Sequence, residues 1–167
     1  MQGKRVRESS AVMSQLMGPQ DTNIAGNVHG GVIMKLIDTV AGVVAVRHAR
    51  SNAVTASIDR LDFHHPVFVG DLLTLRASLT FVGRTSMEIG VRVETENLFT
   101  GERRHTASAY LTYVALDKDG RPMPSPALIL ETDDEMRRNL EAKTRRETRL
   151  AEKTKEKACQ LDRDNCL

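Results

Sequence analysis

Asp38 is the residue of this chain whose setting most needs a chemical explanation. It stands in GGVIMKLIDTVAGVV, where Val32, Ile33, Met34, Leu36, Ile37, Val40, Val43 and Val44 leave only Lys35, Asp38 and Thr39 to interrupt an apolar surface. A helix at a protein surface carries one apolar stripe, whereas one this apolar is expected to be enclosed on most sides. An ionised carboxylate is costly to enclose unless it is paired, hydrogen-bonded or put to use. Just upstream, Asn27, His29, Gly30 and Gly31 make a polar turn that opens into the helix. The first N–H groups of a helix have no intrahelical acceptor and lie at the positive end of its dipole. With no side chain on Gly30 or Gly31, a carbonyl oxygen or oxyanion can approach these donors, and Asn27 and His29 add further hydrogen-bonding groups. The local pattern is also compatible with a plain Gly-Gly turn and with a Lys35–Asp38 pair three residues apart.

The elements that must hold these groups follow from periodicity. After the helix the pattern changes to a two-residue repeat: Leu73, Leu75, Ala77, Leu79 and Phe81 alternate with polar residues, and so do Met87, Ile89, Val91 and Val93. Each run reads as a strand with one covered face, and the short Gly83-Arg84 link between them predicts an antiparallel hairpin. Residues 54–63 and 104–116 read as further strands, the latter after a turn at 98–101. Residues 117–120 read as a turn, and the prolines at 122, 124 and 126 stop regular pairing. One apolar helix followed by consecutive strands predicts an α+β fold in which an antiparallel sheet wraps the helix, rather than alternating βαβ units. The free edge of such a sheet predicts at least a dimer.

Composition narrows the function class. The chain has 167 residues, enough for one domain with a proper core, expected at 1–130. From residue 131 acidic and basic residues alternate with few apolar ones, which predicts a helical, solvated and loosely held tail over 131–167. A net charge of +2 spread over the chain, 4% aromatic residues and no Trp argue against a nucleic-acid partner. Cys159 and Cys166 form neither a CxxC pair nor metal-ligand spacing with the five histidines, so no disulfide framework and no metal are expected. MQGKRVRESS has no apolar stretch behind its positive charge and no run is long enough to span a bilayer, which predicts a soluble cytoplasmic protein without a membrane partner.

Four blocks in order, NIAGNVHGGVIMKLIDTVAG, VTASIDRLDFHHPVFVGDLL, VGRTSMEIGVRVETENLFTGERR and TASAYLTYVALDKDGRPMP, resemble the acyl-CoA thioesterases of the hotdog fold. The branch is the one containing cytosolic acyl-CoA hydrolases and their bacterial relatives, and the resemblance covers about residues 10–128. It implies a long central helix wrapped by a five- or six-stranded sheet, paired into dimers, often three per hexamer, with sites between subunits. It implies Asn27 and Asp38 as functional residues drawn from different subunits. The implied chemistry is hydrolysis of fatty acyl-CoA, with the thioester carbonyl held by the Gly31 N–H and Asp38 acting on water or attacking directly. His29 and Gly30 would adjoin the substrate, and Arg84, Thr85 and Ser86 occupy the position associated with the nucleotide end of CoA. No cofactor is implied, since coenzyme A is part of the substrate. No GxSxG elbow or Cys-His setting offers another acyl-enzyme. The alternative is a non-catalytic acyl-CoA or acyl-ligand binding module on the same fold. A hotdog hydratase would be expected to carry an Asp/His pair, which has no clear equivalent around Asp38.

Overall fold

A computed structural model describes residues 2–161. The elements run β1 (Lys4–Arg5), α1 (Val6–Ser9), β2 (Ala11–Leu16), a 3-10 turn at Pro19–Asp21, α2 (Gly30–Ala49), β3 (Asn52–Phe63), β4 (Asp71–Val82), β5 (Ser86–Asn97), β6 (Arg103–Leu116), β7 (Leu128–Ile129) and α3 (Asp133–Leu161). Five strands form an antiparallel sheet in the order β2-β4-β5-β6-β3, and β1 pairs in parallel with β7 in a separate ribbon. The wrapped-helix arrangement and the hotdog fold expected from the sequence are what the chain adopts.

Alternation builds the inner face. Leu73, Leu75, Ala77 and Leu79 of β4, Met87, Ile89, Val91 and Val93 of β5, and Ala107, Ala109, Leu111 and Ala115 of β6 are all buried beneath α2. From α2, Ile33, Ile37, Val40, Ala41, Val44 and Ala45 answer at helical spacing. Burying each Leu or Ile contributes about 1.5–3 kcal/mol. The helix starts at His29, whose ring caps it, and stops where Arg50 turns left-handed at φ 54°.

The helix α2 is enclosed on most sides, as expected, and one side is open. Met34, Val43 and Val46 are 40–45% exposed on the side of the helix that carries Asp38 and Thr39. The neighbouring strand β3 is an edge of the sheet, with Val54 and Ile58 also exposed. Within the expected tail, α3 runs over Asp133–Leu161, and it is not loose over the part whose side chains are described. Ala142 of α3 is fully buried, Arg145 pairs with Glu88, Arg149 pairs with Asp59, and the Asn139 amide donates to Thr80 O. These contacts dock α3 on the outer face of the sheet. Cys166 lies outside the described residues, as does the side chain of Cys159.

Candidate active site

Asp38 sits two turns into α2, where the helix crosses the β3–β6 pair. Thr55 of β3 and Tyr113 of β6 are directly opposite each other in that pair, so both side chains point to the inner face. Both converge on one carboxylate oxygen: Thr55 Oγ1 donates to Asp38 Oδ1 at 2.6 Å, and the Tyr113 hydroxyl lies 2.7 Å from the same oxygen. The Tyr113 hydroxyl is also 2.7 Å from the Asp38 main-chain oxygen. The Lys35–Asp38 pair that the sequence also allowed does not form among the described residues; these two hydroxyls supply the carboxylate's partners. Asp38 is half-buried, with its open side on the exposed face of α2.

The turn before α2 is a second cluster. Asn23 N–H donates to Asn27 O at 2.8 Å, a bridge joins Thr22 to Val28, and Gly26 takes φ +84°, closing a tight loop. Asn23 Oδ1 accepts from the N–H groups of Ala25 and Asn27, which leaves its Nδ2 donors uncommitted among the described residues. The Asn27 carboxamide makes no hydrogen bond there and is half-buried. His29 Nδ1 accepts from the Gly31 N–H at 2.9 Å, so that donor, expected to be open, already has an acceptor. Among the described residues the Gly30 N–H has no acceptor, and the ring of Phe63 lies on the side of Gly30 where a Cβ would stand. Eight residues separate Gly30 from Asp38, about 12 Å along a helix axis. One chain therefore brings Asn27, His29, Gly30 and Gly31 together and holds Asp38 apart from them.

Arg84, Thr85 and Ser86 form the β4–β5 turn, closed by Gly83 N–H to Ser86 O at 2.8 Å. Ser86 and Met87 begin β5 opposite Val114 and Tyr113, so this turn lies at the same end of the sheet as Asp38. The Arg84 side chain is exposed and makes no ion pair among the described residues, whereas Arg103 and Arg104 pair with Glu96 and Glu102. Among the described residues, no group of His, Cys, Asp and Glu could hold a metal ion, and no helix is long and apolar enough to cross a membrane.

A family described as the thioesterase superfamily matches residues 25–98. The chain is 42% identical over 130 residues to an uncharacterised acyl-CoA thioester hydrolase of Bacillus subtilis, spanning 78% of this chain and 76% of that protein. The chain belongs to the thioesterase superfamily. Among superfamily members, the cytosolic acyl coenzyme A thioester hydrolase of Mus musculus is 44% identical over 142 residues, 84% of this chain. The chain spans 37% of the length of that relative. The crystal structure of an apo-hexameric acyl-CoA thioesterase matches with a TM-score of 0.88 and 42% identity, over 91% of this chain and 97% of the other. An acyl-CoA hydrolase from Staphylococcus aureus, in complex with butyryl coenzyme A, coenzyme A and coenzyme A disulfide, matches with a TM-score of 0.88 and 34% identity, over 97% and 99% of the two chains. That enzyme has also been crystallised with one Asp, one Asn or one Thr replaced by Ala, the Asn variant with coenzyme A.

Within this thioesterase fold, Thr55, Tyr113 and Asn23 stand close to the two clusters without having been singled out in the sequence. Thr55 and Tyr113 sit in ordinary strand patterns, and only the pairing register sets them side by side under α2. Asn23 carried a readable signal, an Asn after Asp-Thr at the mouth of the same turn as Asn27.

Proposed function

We propose that the chain hydrolyses acyl-CoA thioesters to a carboxylic acid and coenzyme A, at sites each shared by two copies. The observation that carries this is Asp38: a carboxylate in an apolar helix, gripped by two hydroxyls on one oxygen, on a face that opens toward the sheet edge. Superfamily relatives named as acyl-CoA hydrolases support the substrate class. A second copy paired along β3 would cover Val54, Ile58, Val43 and Val46 and bring its own α2 start toward Asp38. The hexameric relative supports three such dimers, and the cytosolic name of the mouse relative supports a cytosolic location.

In this reading the thioester carbonyl oxygen is held at the helix start, by the open Gly30 N–H and by the Gly31 N–H when it exchanges His29 for the substrate. Asp38 takes a proton from water as the water oxygen bonds to the carbonyl carbon, or attacks that carbon itself. In the first route collapse of the tetrahedral oxyanion breaks the C–S bond and releases the carboxylic acid, and the departing thiolate takes up the proton that Asp38 took from water. In the second, collapse expels the thiolate and leaves the acyl group on Asp38 as an anhydride, which water then hydrolyses to the acid, its proton going to the thiolate. Asn23, rather than Asn27, is assigned the second functional position. In the Staphylococcus aureus enzyme the replaced Asn lies fifteen positions before the replaced Asp and the replaced Thr seventeen after it. Asn23, Asp38 and Thr55 have that spacing here, and the open Nδ2 donors of Asn23 suit it to orient water or the carbonyl. Arg84, Thr85 and Ser86 are assigned to the phosphates of CoA, as an exposed unpaired guanidinium and two hydroxyls.

The test is free-thiol release from short-, medium- and long-chain acyl-CoAs by wild type and Asp38→Asn. Release by wild type that is lost in a correctly assembled variant is expected. No release from any acyl-CoA by the folded oligomer would favour the binding-module reading, and loss of enoyl-CoA absorbance without thiol release would favour a hydratase.

A further inference from the structure

The two oxygens of the Asp38 carboxylate are not equivalent. Oδ1 receives the Thr55 hydroxyl at 2.6 Å and the Tyr113 hydroxyl at 2.7 Å, while Oδ2 has no partner among the described residues. Thr55 is exposed on an edge strand, so its grip alone would leave the carboxylate free to swing. Tyr113 is different. It is 2% exposed, its ring is locked in the sheet between Met87 and Thr55, and its hydroxyl reaches both the side chain and the main-chain oxygen of Asp38. A phenol held against two oxygens of one residue fixes that residue's χ angles as well as its position.

Building on the acyl-CoA hydrolase reading, we infer that Tyr113 is the positioning residue that selects the reacting oxygen of Asp38, holding Oδ1 back and leaving Oδ2 to meet water or the thioester carbon. Tyr113 itself touches no reacting atom. Burial above all pushes its phenol well above the ordinary range, against an opposing hydrogen bond with Thr55 and with the help of the adjacent Asp38 carboxylate, so it keeps its proton and stays a donor at neutral pH. Tyr113 and Thr55 share one acceptor, so each partly covers for the other. Their effects should be coupled rather than independent.

The test is steady-state thiol release by Tyr113→Phe, which removes one oxygen and retains the ring. Losing a hydrogen bond to a charged group that must be aligned for reaction is expected to lower kcat roughly 10- to 100-fold, with KM for the acyl-CoA within about twofold of wild type. Thr55→Ala and the double variant complete a cycle. Carboxylate positioning predicts that the double variant departs from the product of the single effects, a departure that holds even where Tyr113→Phe lowers the thermal midpoint. A kcat for Tyr113→Phe within twofold of wild type, a fall in kcat/KM carried by KM, or strictly multiplicative single effects would each overturn the inference while leaving the hydrolase reading intact. A wild-type protein that releases no thiol would overturn both.

Discussion

At the residue scale, Asp38 and His48 are two polar side chains of one apolar helix with opposite solutions to burial. Asp38 keeps an open side and is hydrogen-bonded by two hydroxyls. His48 is fully buried, with Nε2 donating to Pro126 O at 2.9 Å and Nδ1 accepting from Ser9 Oγ at 3.0 Å, the tautomer that a carbonyl acceptor requires. Burial lowers its pKa from 6.5, against the opposing pull of Pro126. The folded state therefore prefers the neutral ring, and the unfolded chain takes up a proton that the folded one refuses as pH falls below about 6.5. The stability that neutral His48 supplies is complete above that pH and declines beneath it. Thermal midpoints measured from pH 8 to pH 5 should fall more steeply for wild type than for His48→Gln; parallel curves would remove His48 from the pH response. Asp38 was legible because a charge in an apolar run stands out. Its partners were not, because strand alternation names a face but not which residue of that face lies under a given turn of helix.

At the scale of elements, α3 is the part whose character the sequence concealed. Its Glu and Arg residues read as a solvated helix because the acids that Arg145 and Arg149 seek, Glu88 and Asp59, are on distant strands. Arg145 also stacks over the Tyr110 ring at 3.7 Å. Glu88 is 2% exposed, held by Thr80 Oγ1 at 2.6 Å and by Arg145 at 2.7 Å. Arg145→Ala strands a buried carboxylate, so it should lower unfolding free energy by about 3 kcal/mol, against less than about 1 kcal/mol for the exposed, i,i+4-paired Arg138→Ala. Chemical denaturation of both variants checks this; equal losses would mean that α3 is held by something other than its arginines. Strand β2 was missed for a related reason. Its outward residues include Val12 and Leu16, more than half exposed, and Gln15 points inward, so AVMSQL has no readable alternation. The strands β3 to β6 were legible to within a few residues, although β3 is irregular, its register against β6 shifting at Thr55/Ser57 and at Ile58/Arg60.

At the scale of the molecule, the exposed side of α2 and the free edge of β3 are continuous with the open side of Asp38. A sequence cannot say which side of an apolar helix is covered by its own sheet and which by another chain. That is why the helix read as enclosed on most sides without the open one being named. If the second copy covers this side, Val46→Glu should shift the assembly toward folded monomers in sedimentation velocity and abolish thiol release together, since each site would lose its other half. An unchanged assembly would move the dimer interface elsewhere.

The shared site is tested most directly by mixing two inactive proteins. Asp38→Asn and Asn23→Ala, unfolded together in equal amounts and refolded, should each be inactive alone and recover about a quarter of wild-type thiol release as a mixture, because half of the dimers are mixed and each mixed dimer has one intact site. A mixture that stays inactive although native mass spectrometry finds mixed dimers would contradict a site built across two chains.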